Sequence, residues 1–176
     1  MMVYSDNTAT NLVLDKTGII PVNERMASWG CPNTRVHAKV FRRDLSIDIE
    51  RSKKFGLGST TAREMVQLLE KVHQGKAVSP EACKEMLDHM KNCDDKEKLK
   101  RFLPTKVVVA HKTGSVDDVK TDAGILYFPG GPVALCVLTN KNEDQRYAFD
   151  NAGSILIGRV AEQVHDYFAT KAKAKQ

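Results

Sequence analysis

An α/β protein of the α+β kind is predicted, in which a mainly helical part precedes a short antiparallel sheet covered by a C-terminal helix. Three observations predict it. Before about residue 103, apolar residues recur at helical spacing between capping signals. From Val107 the pattern changes to β-branched and apolar runs, VVVAHKTG, DAGILYF and VALCVLTN, parted by turn-forming stretches such as Pro129-Gly130-Gly131-Pro132. From about Tyr147 a long helical pattern returns. The organisation that follows is a helical lobe over residues 1–103, a sheet-and-helix lobe over 104–170 and a basic tail over 171–176.

In the first lobe, Ser5-Asp6-Asn7 opens a helix that runs to Gly18, with Ser5 as its N-cap and Ala9, Leu12 and Val13 on its apolar face. After Pro21 a second helical piece, carrying Val22, Met26 and Trp29, stops at Gly30. Residues 31–58 lack sustained periodicity and carry mixed charge, the pattern of a long functional loop. Thr61-Ala62-Arg63-Glu64 has the capping-box form ahead of Met65, Leu68, Leu69 and Val72. Ser79-Pro80 supplies an N-cap and a first-turn proline to the next helix, which sets Cys83, Leu87 and Met90 on one side and ends near Asn92. In the second lobe, strands are expected near 106–112, 121–128 and 133–139. The last helix is expected to turn Ala152, Leu156, Val160 and Val164 towards the sheet.

A chain of 176 residues can bury a core without disulfides. No apolar run approaches the length of a membrane span, so no membrane partner is expected. The net charge of +5 would suit an anionic partner, yet part of it sits on Lys171, Lys173 and Lys175, which read as a solvated tail, so no nucleic-acid partner is expected. Cys31, Cys83, Cys93 and Cys136 show no C-x-x-C pairing and no histidine at metal-ligand spacing. No metal or other cofactor is therefore expected, and Cys83 and Cys136 read as core residues. His37, His73, His89 and His165 form no cluster along the sequence. The opening MMVYSDNTAT has neither the basic nor the apolar region of a secretory signal.

Ser5-Asp6-Asn7 alone is also a good helix start; its weight comes from Lys112-Thr113-Gly114, at the end of an expected strand. The order Ser-Asp-Asn, long loop, helices, Lys-Thr-Gly strand resembles that of class A β-lactamases and penicillin-binding transpeptidases. Tyr4-Ser5-Asp6-Asn7-Thr8-Ala9-Thr10-Asn11-Leu12 is similar to the family's text around the first motif. Trp29-Gly30 with Thr34-Arg35-Val36 is similar to the entry into its omega loop, and Ala110-His111-Lys112-Thr113-Gly114-Ser115 to its catalytic strand. Nearly the whole chain thus resembles the C-terminal part of such a serine hydrolase. The resemblance implies a reduced β-lactamase/transpeptidase-like fold and a half-site. In it Ser5 shuttles protons, Asn7 contacts the substrate amide, Lys112 and Thr113 hold its carboxylate, Gly114 permits close approach, and the N–H of Ser115 is an oxyanion-hole donor. Asp6 takes a structural role, and Asn11 ties the first helix to the omega loop. His111 alternates to the face opposite Lys112 and reads as structural.

The chain departs from the family pattern in two places. None of its serines has a lysine three positions on, the spacing of the family's nucleophile motif; Thr170-Lys171-Ala172-Lys173 has that spacing but lies in the polar tail. The family's Trp-Glu-Pro-Glu-Leu-Asn text aligns with Phe41-Arg42-Arg43-Asp44-Leu45-Ser46, which puts Arg42 where the deacylating glutamate stands and Asp44 at a structural acidic position. An arginine there cannot accept a proton from water. The implied function is a short serine hydrolase that binds, or at most weakly hydrolyses, β-lactams, D-alanyl ligands or simple esters. Either Ser5 serves as a replacement nucleophile activated by Lys112, or Lys112 is a cationic anchor and Ser5 a relay. The alternative is a non-catalytic remnant of the fold, acting as a binding or structural module. The resembled family is periplasmic or secreted. In it, the strand corresponding to Val133–Thr139 pairs with a strand from the N-terminal part; as an edge, it is expected here to join chains into a homo-oligomer.

Overall fold

The structure, a computed structural model, describes residues 1–173. Residues 174–176 of the expected basic tail, Lys175 among them, lie outside the described residues. The chain divides into two compact units, Met1–Leu68 and Leu69–Gln176, so residues 69–103 belong with the sheet.

In the first unit, α1 (Asn7–Thr17) and α2 (Ile19–Ser28) pack on each other across the single residue Gly18, whose φ of 74° few side chains tolerate. Asp6, not Ser5, caps α1. Ser5 lies in the left-handed region at φ 54°, and this turn delivers the extended cap conformation to Asp6, whose carboxylate accepts from the Ala9 N–H at 2.5 Å. Residues 31–58 are more regular than their periodicity suggests. β1 (Arg35–Val36) pairs antiparallel with β2 (Gly58–Ser59), a 3₁₀ turn spans Arg43–Leu45, and α3 covers Ile49–Phe55. Only Ser52 of α3 is buried, so no apolar stripe announces it. Its ends do the work instead: Asp48 accepts from the Arg51 N–H at 3.0 Å, and Gly56 stops it at φ 75°.

α4 (Ala62–His73) begins at Thr61, whose hydroxyl accepts from the Glu64 N–H at 3.2 Å. The capping box does not close. Glu64 turns its buried carboxylate to the N–H of Asn33 (3.1 Å), its side-chain amide (2.7 Å) and the Thr34 hydroxyl (2.7 Å), and so pins the start of the long loop. Burial opposes ionisation of this carboxyl, but the bonds from Thr34 and Asn33 outweigh it and hold the group below the usual range.

In the second unit, α5 (Pro80–Lys91) starts at Ser79, which accepts from the Ala82 N–H at 3.2 Å. β3 (Val108–Val116), β4 (Val119–Phe128) and β5 (Gly131–Thr139) form an antiparallel sheet in the order β3-β4-β5. The first strand runs past its expected end to a tight turn with Asp117 at φ 34°, so Lys112-Thr113-Gly114 lies within the strand, not at its end. α6 (Ala152–Lys173) begins later than expected, and Tyr147 lies in the preceding loop. Asn151 sets the start by accepting from the Ser154 N–H at 3.0 Å, while Asp144 accepts from the Ala152 N–H at 2.9 Å. Its buried face carries Ile157 and Ala161, with Val164 and Phe168, against Leu99, Val107, Val109, Leu126 and Phe128. Ala152 and Leu156, expected on this face, are exposed. The helix seats instead through Gly158, where a Cβ would stand 3.0 Å from the Lys98 carbonyl oxygen. Cys83 is buried as expected, but Cys136 is only half-buried.

Candidate active site

Ser5, Asp6, Asn7, Asn11, Arg42 and Asp44 fall in the first unit, and Lys112, Thr113, Gly114 and Ser115 in the second. Ser5 is exposed, and its left-handed backbone costs about 1 kcal/mol for a residue with a Cβ. Such local strain is a feature of positioned side chains. Asn7, also exposed, is the first residue of α1. Asn11 exchanges two hydrogen bonds with Val40: its amide donates to the carbonyl at 3.2 Å and accepts from the N–H at 2.8 Å, binding α1 to the loop.

On that loop, Arg42 grips Asp44 two residues away, with Nε and Nη2 donating to the carboxylate at 2.9 and 2.7 Å. The pair is exposed, and the guanidinium holds the Asp44 carboxyl below the usual carboxylate range. A carboxylate so engaged is a weak proton acceptor.

On β3, Lys112 is half-buried and donates from Nζ to the Thr113 carbonyl at 2.7 Å. Burial pushes its amine below the ordinary lysine range; Cys93, Asp122 and Asp95 pull the other way without cancelling the effect. Gly114 faces Thr121 in register, and a Cβ there would meet the threonine hydroxyl at 2.6 Å, so no larger residue fits without movement. Ser115 is exposed two residues from the turn.

Behind these residues lies a cluster that sequence reasoning left unassembled. His111 is fully buried and its Nδ1–H donates to both oxygens of Asp122 at 3.0 Å; Asp122 also accepts from the Leu99 N–H at 3.0 Å. Burial disfavours a charge on His111, but Asp122 and Cys93 overcome this and push it up to about 9. A signal was present: Asp122 opens the run DAGILYF, whose remaining residues are apolar or aromatic, and a carboxylate buried there requires a partner. Among the described residues, no three His, Cys, Asp or Glu side chains gather as a metal site.

Comparison with known proteins places this arrangement in context. The model of the Beta-lactamase enzyme family matches residues 1–168. No curated protein matches the chain. Among solved structures, the chain is similar to PBP-A at 29% identity and a TM-score of 0.76, covering 94% of this chain and 57% of that one. A PBP-A mutant in an acyl-enzyme complex with penicillin G is 28% identical, with a TM-score of 0.78, over 94% of this chain and 58% of that one. A class A β-lactamase from Bacteroides cellulosilyticus is 26% identical, with a TM-score of 0.77, over 92% of this chain and 58% of that one.

Proposed function

The chain belongs to the β-lactamase enzyme family, and on that premise we propose that it is a serine hydrolase or transpeptidase-like protein that binds β-lactam, D-alanyl or small ester ligands and turns them over weakly at most. Lys112 carries the reading. It is a half-buried cation on an edge strand of its sheet, followed by Thr113 and Gly114, and this combination suits the carboxylate of a penicillin-like ligand. Asn7 contacts the ligand amide, and the N–H of Ser115 meets the carbonyl oxygen. If the Lys112 amine gives up its proton, it accepts that of Ser5 as the serine oxygen attacks the lactam carbonyl. The C–N bond then opens, its nitrogen takes the proton, and an ester remains for water to cleave. If Lys112 stays charged, it anchors the ligand and Ser5 serves as a relay.

The Arg42–Asp44 pair favours the second reading, a binding module without turnover, because it leaves this part of the loop with no free base to activate water. The test is intact-mass measurement after incubation with penicillin G, beside equilibrium binding. Saturable binding that Lys112→Ala abolishes is expected. A slowly formed covalent adduct absent from Ser5→Ala would identify the nucleophile, an unchanged mass with binding would identify the module, and no binding at all would reject both. The same reading assigns the outer edge of β5 to a second copy of the chain.

A further inference from the structure

Between α2 and α4, the first unit brings a serine and a histidine together. His37 is 1% exposed, and its Nε2 stands 2.9 Å from the Ser59 hydroxyl oxygen. The backbone fixes the histidine: its N–H donates to the Leu57 carbonyl at 2.7 Å, and its carbonyl accepts from the Ile47 N–H and the Ser46 hydroxyl at 2.9 Å each. Ser59 is half-buried and faces Arg35 in the β1–β2 ladder. Its oxygen accepts from Arg51 Nη2 at 3.0 Å, and the Asn33 carbonyl lies 3.3 Å away. A hydroxyl has one proton to give, and the shorter contact suits the tautomer in which Nε2 accepts it. A nucleophile within hydrogen-bond reach of its base is the geometry of serine catalysis.

The charges around the ring agree with that role. Burial, with Arg51 and Arg35, holds the imidazole below its ordinary range against the pull of Asp48, so it is neutral and able to take a proton at pH 7. Arg51 also lines an open cleft of about 540 Å³ with Glu50, Lys53, Lys54 and Phe55. Its guanidinium carbon lies 5.2 Å from the centre of the Phe55 ring, and its buried Nε has no hydrogen-bond partner among the described residues. Three cationic side chains against one carboxylate make the cleft positive, and Glu50 is engaged with Lys53 at 2.9 Å. Such a cleft takes an anion.

We propose that Ser59, with His37 as its base, is a catalytic nucleophile outside the Ser5–Lys112 half-site, and that it hydrolyses small esters whose acyl part bears a free carboxylate. The Ser59 oxygen attacks the ester carbonyl as its proton passes to His37 Nε2, and the Arg51 guanidinium offsets the charge that develops on the carbonyl oxygen. The ester C–O bond breaks, the leaving alcohol takes the proton from Nε2, and an acyl group stays on Ser59. Water then attacks that carbonyl, giving a proton to Nε2; Ser59 leaves with that proton and the acid is released.

Diisopropyl fluorophosphate, followed by peptide mass mapping of the wild-type chain, should place one phosphoryl group on Ser59. Labelling should be slowed about a hundredfold or more in His37→Gln, and its rate should climb with pH to a half-maximum below 6.5. With 4-nitrophenyl hydrogen succinate, Arg51→Gln should lower kcat/KM about tenfold or more, and by less with the neutral 4-nitrophenyl butyrate. A structural role for Arg51 would lower both alike. No adduct, an adduct on another residue, or labelling indifferent to His37→Gln overturns the proposal. The mapping needs no variant, so a misfolded Ser59→Ala leaves the test intact. An adduct on Ser5 would reject Ser59 while supporting the other site, and a chain that binds no penicillin would reject that site without touching this one.

Discussion

A serine at φ 54° forgoes stability that a glycine would recover. Ser5→Gly is therefore expected to raise the unfolding free energy by up to about 1 kcal/mol while removing the hydroxyl, and urea denaturation beside the penicillin mass assay checks both halves. The buried pair makes a prediction with a definite sign. His111 is raised from 6.5 to about 9, so its contribution is complete below 6.5 and is lost as the pH rises through about 9. Cys93 is shifted down, so its contribution is present above the ordinary thiol value, about 8.5, and is lost as the pH falls through its folded value. Where the two windows overlap the slopes oppose, so the wild-type profile should be shallower than that of the histidine alone. Cys93→Ser exposes the histidine slope, so its urea midpoint should fall as the pH climbs from 6.5 towards 9. A mutant profile as level as wild type would contradict the coupling.

Gly124 shows why a strand can need a glycine for space alone. A Cβ there would meet the Ala110 carbonyl oxygen and the His111 Cβ at 2.5 Å each, so Gly124→Ala should cost about 1–3 kcal/mol in thermal unfolding. The elements legible in the sequence were those marked by caps and by runs of one character. Ser79-Pro80 fixed the start of α5, and the VVVAHKTG, DAGILYF and VALCVLTN runs marked all three strands of the sheet. α3 was missed because its helix is held by Asp48 and Gly56 and buries only Ser52, which leaves no periodic signal. The stripe of α6 was misplaced because small residues decide how closely a helix approaches its neighbours, and Gly158 counts for nothing in an apolar pattern. At the site, the Ser-Asp-Asn and Lys-Thr-Gly motifs could be read directly. The bond between His111 and Asp122 could not, since it depends on the register of β3 against β4. Asn151→Ala should lower stability by about 1–2 kcal/mol by uncapping α6, measurable as a shift in the same thermal transition.

On the scale of the whole chain, β5 pairs only with β4 among the described residues. Val133, Leu135 and Val137 pack against the α6 cluster, so a lysine at Leu135 or Val137 would damage the core. Leu138, on the other face and 38% exposed, is the cleaner probe of association. Light scattering over a dilution series should show a concentration-dependent dimer or larger species, weakened in Leu138→Lys; a monomer persisting at high concentration would defeat the edge assignment. The neighbour-to-neighbour order β3-β4-β5 also bears on how quickly this sheet assembles. Its two connections are Asp117-Asp118 and Pro129-Gly130, so each ladder closes a short loop, and little chain entropy is spent before pairing begins to repay it. Such local closure favours refolding on the order of milliseconds rather than seconds, with zipping free to start at either turn. Gly124 pairs with both His111 and Leu135, at the centre of the β4–β5 ladder and next to the centre of the β3–β4 ladder, so filling it should retard whichever hairpin forms first.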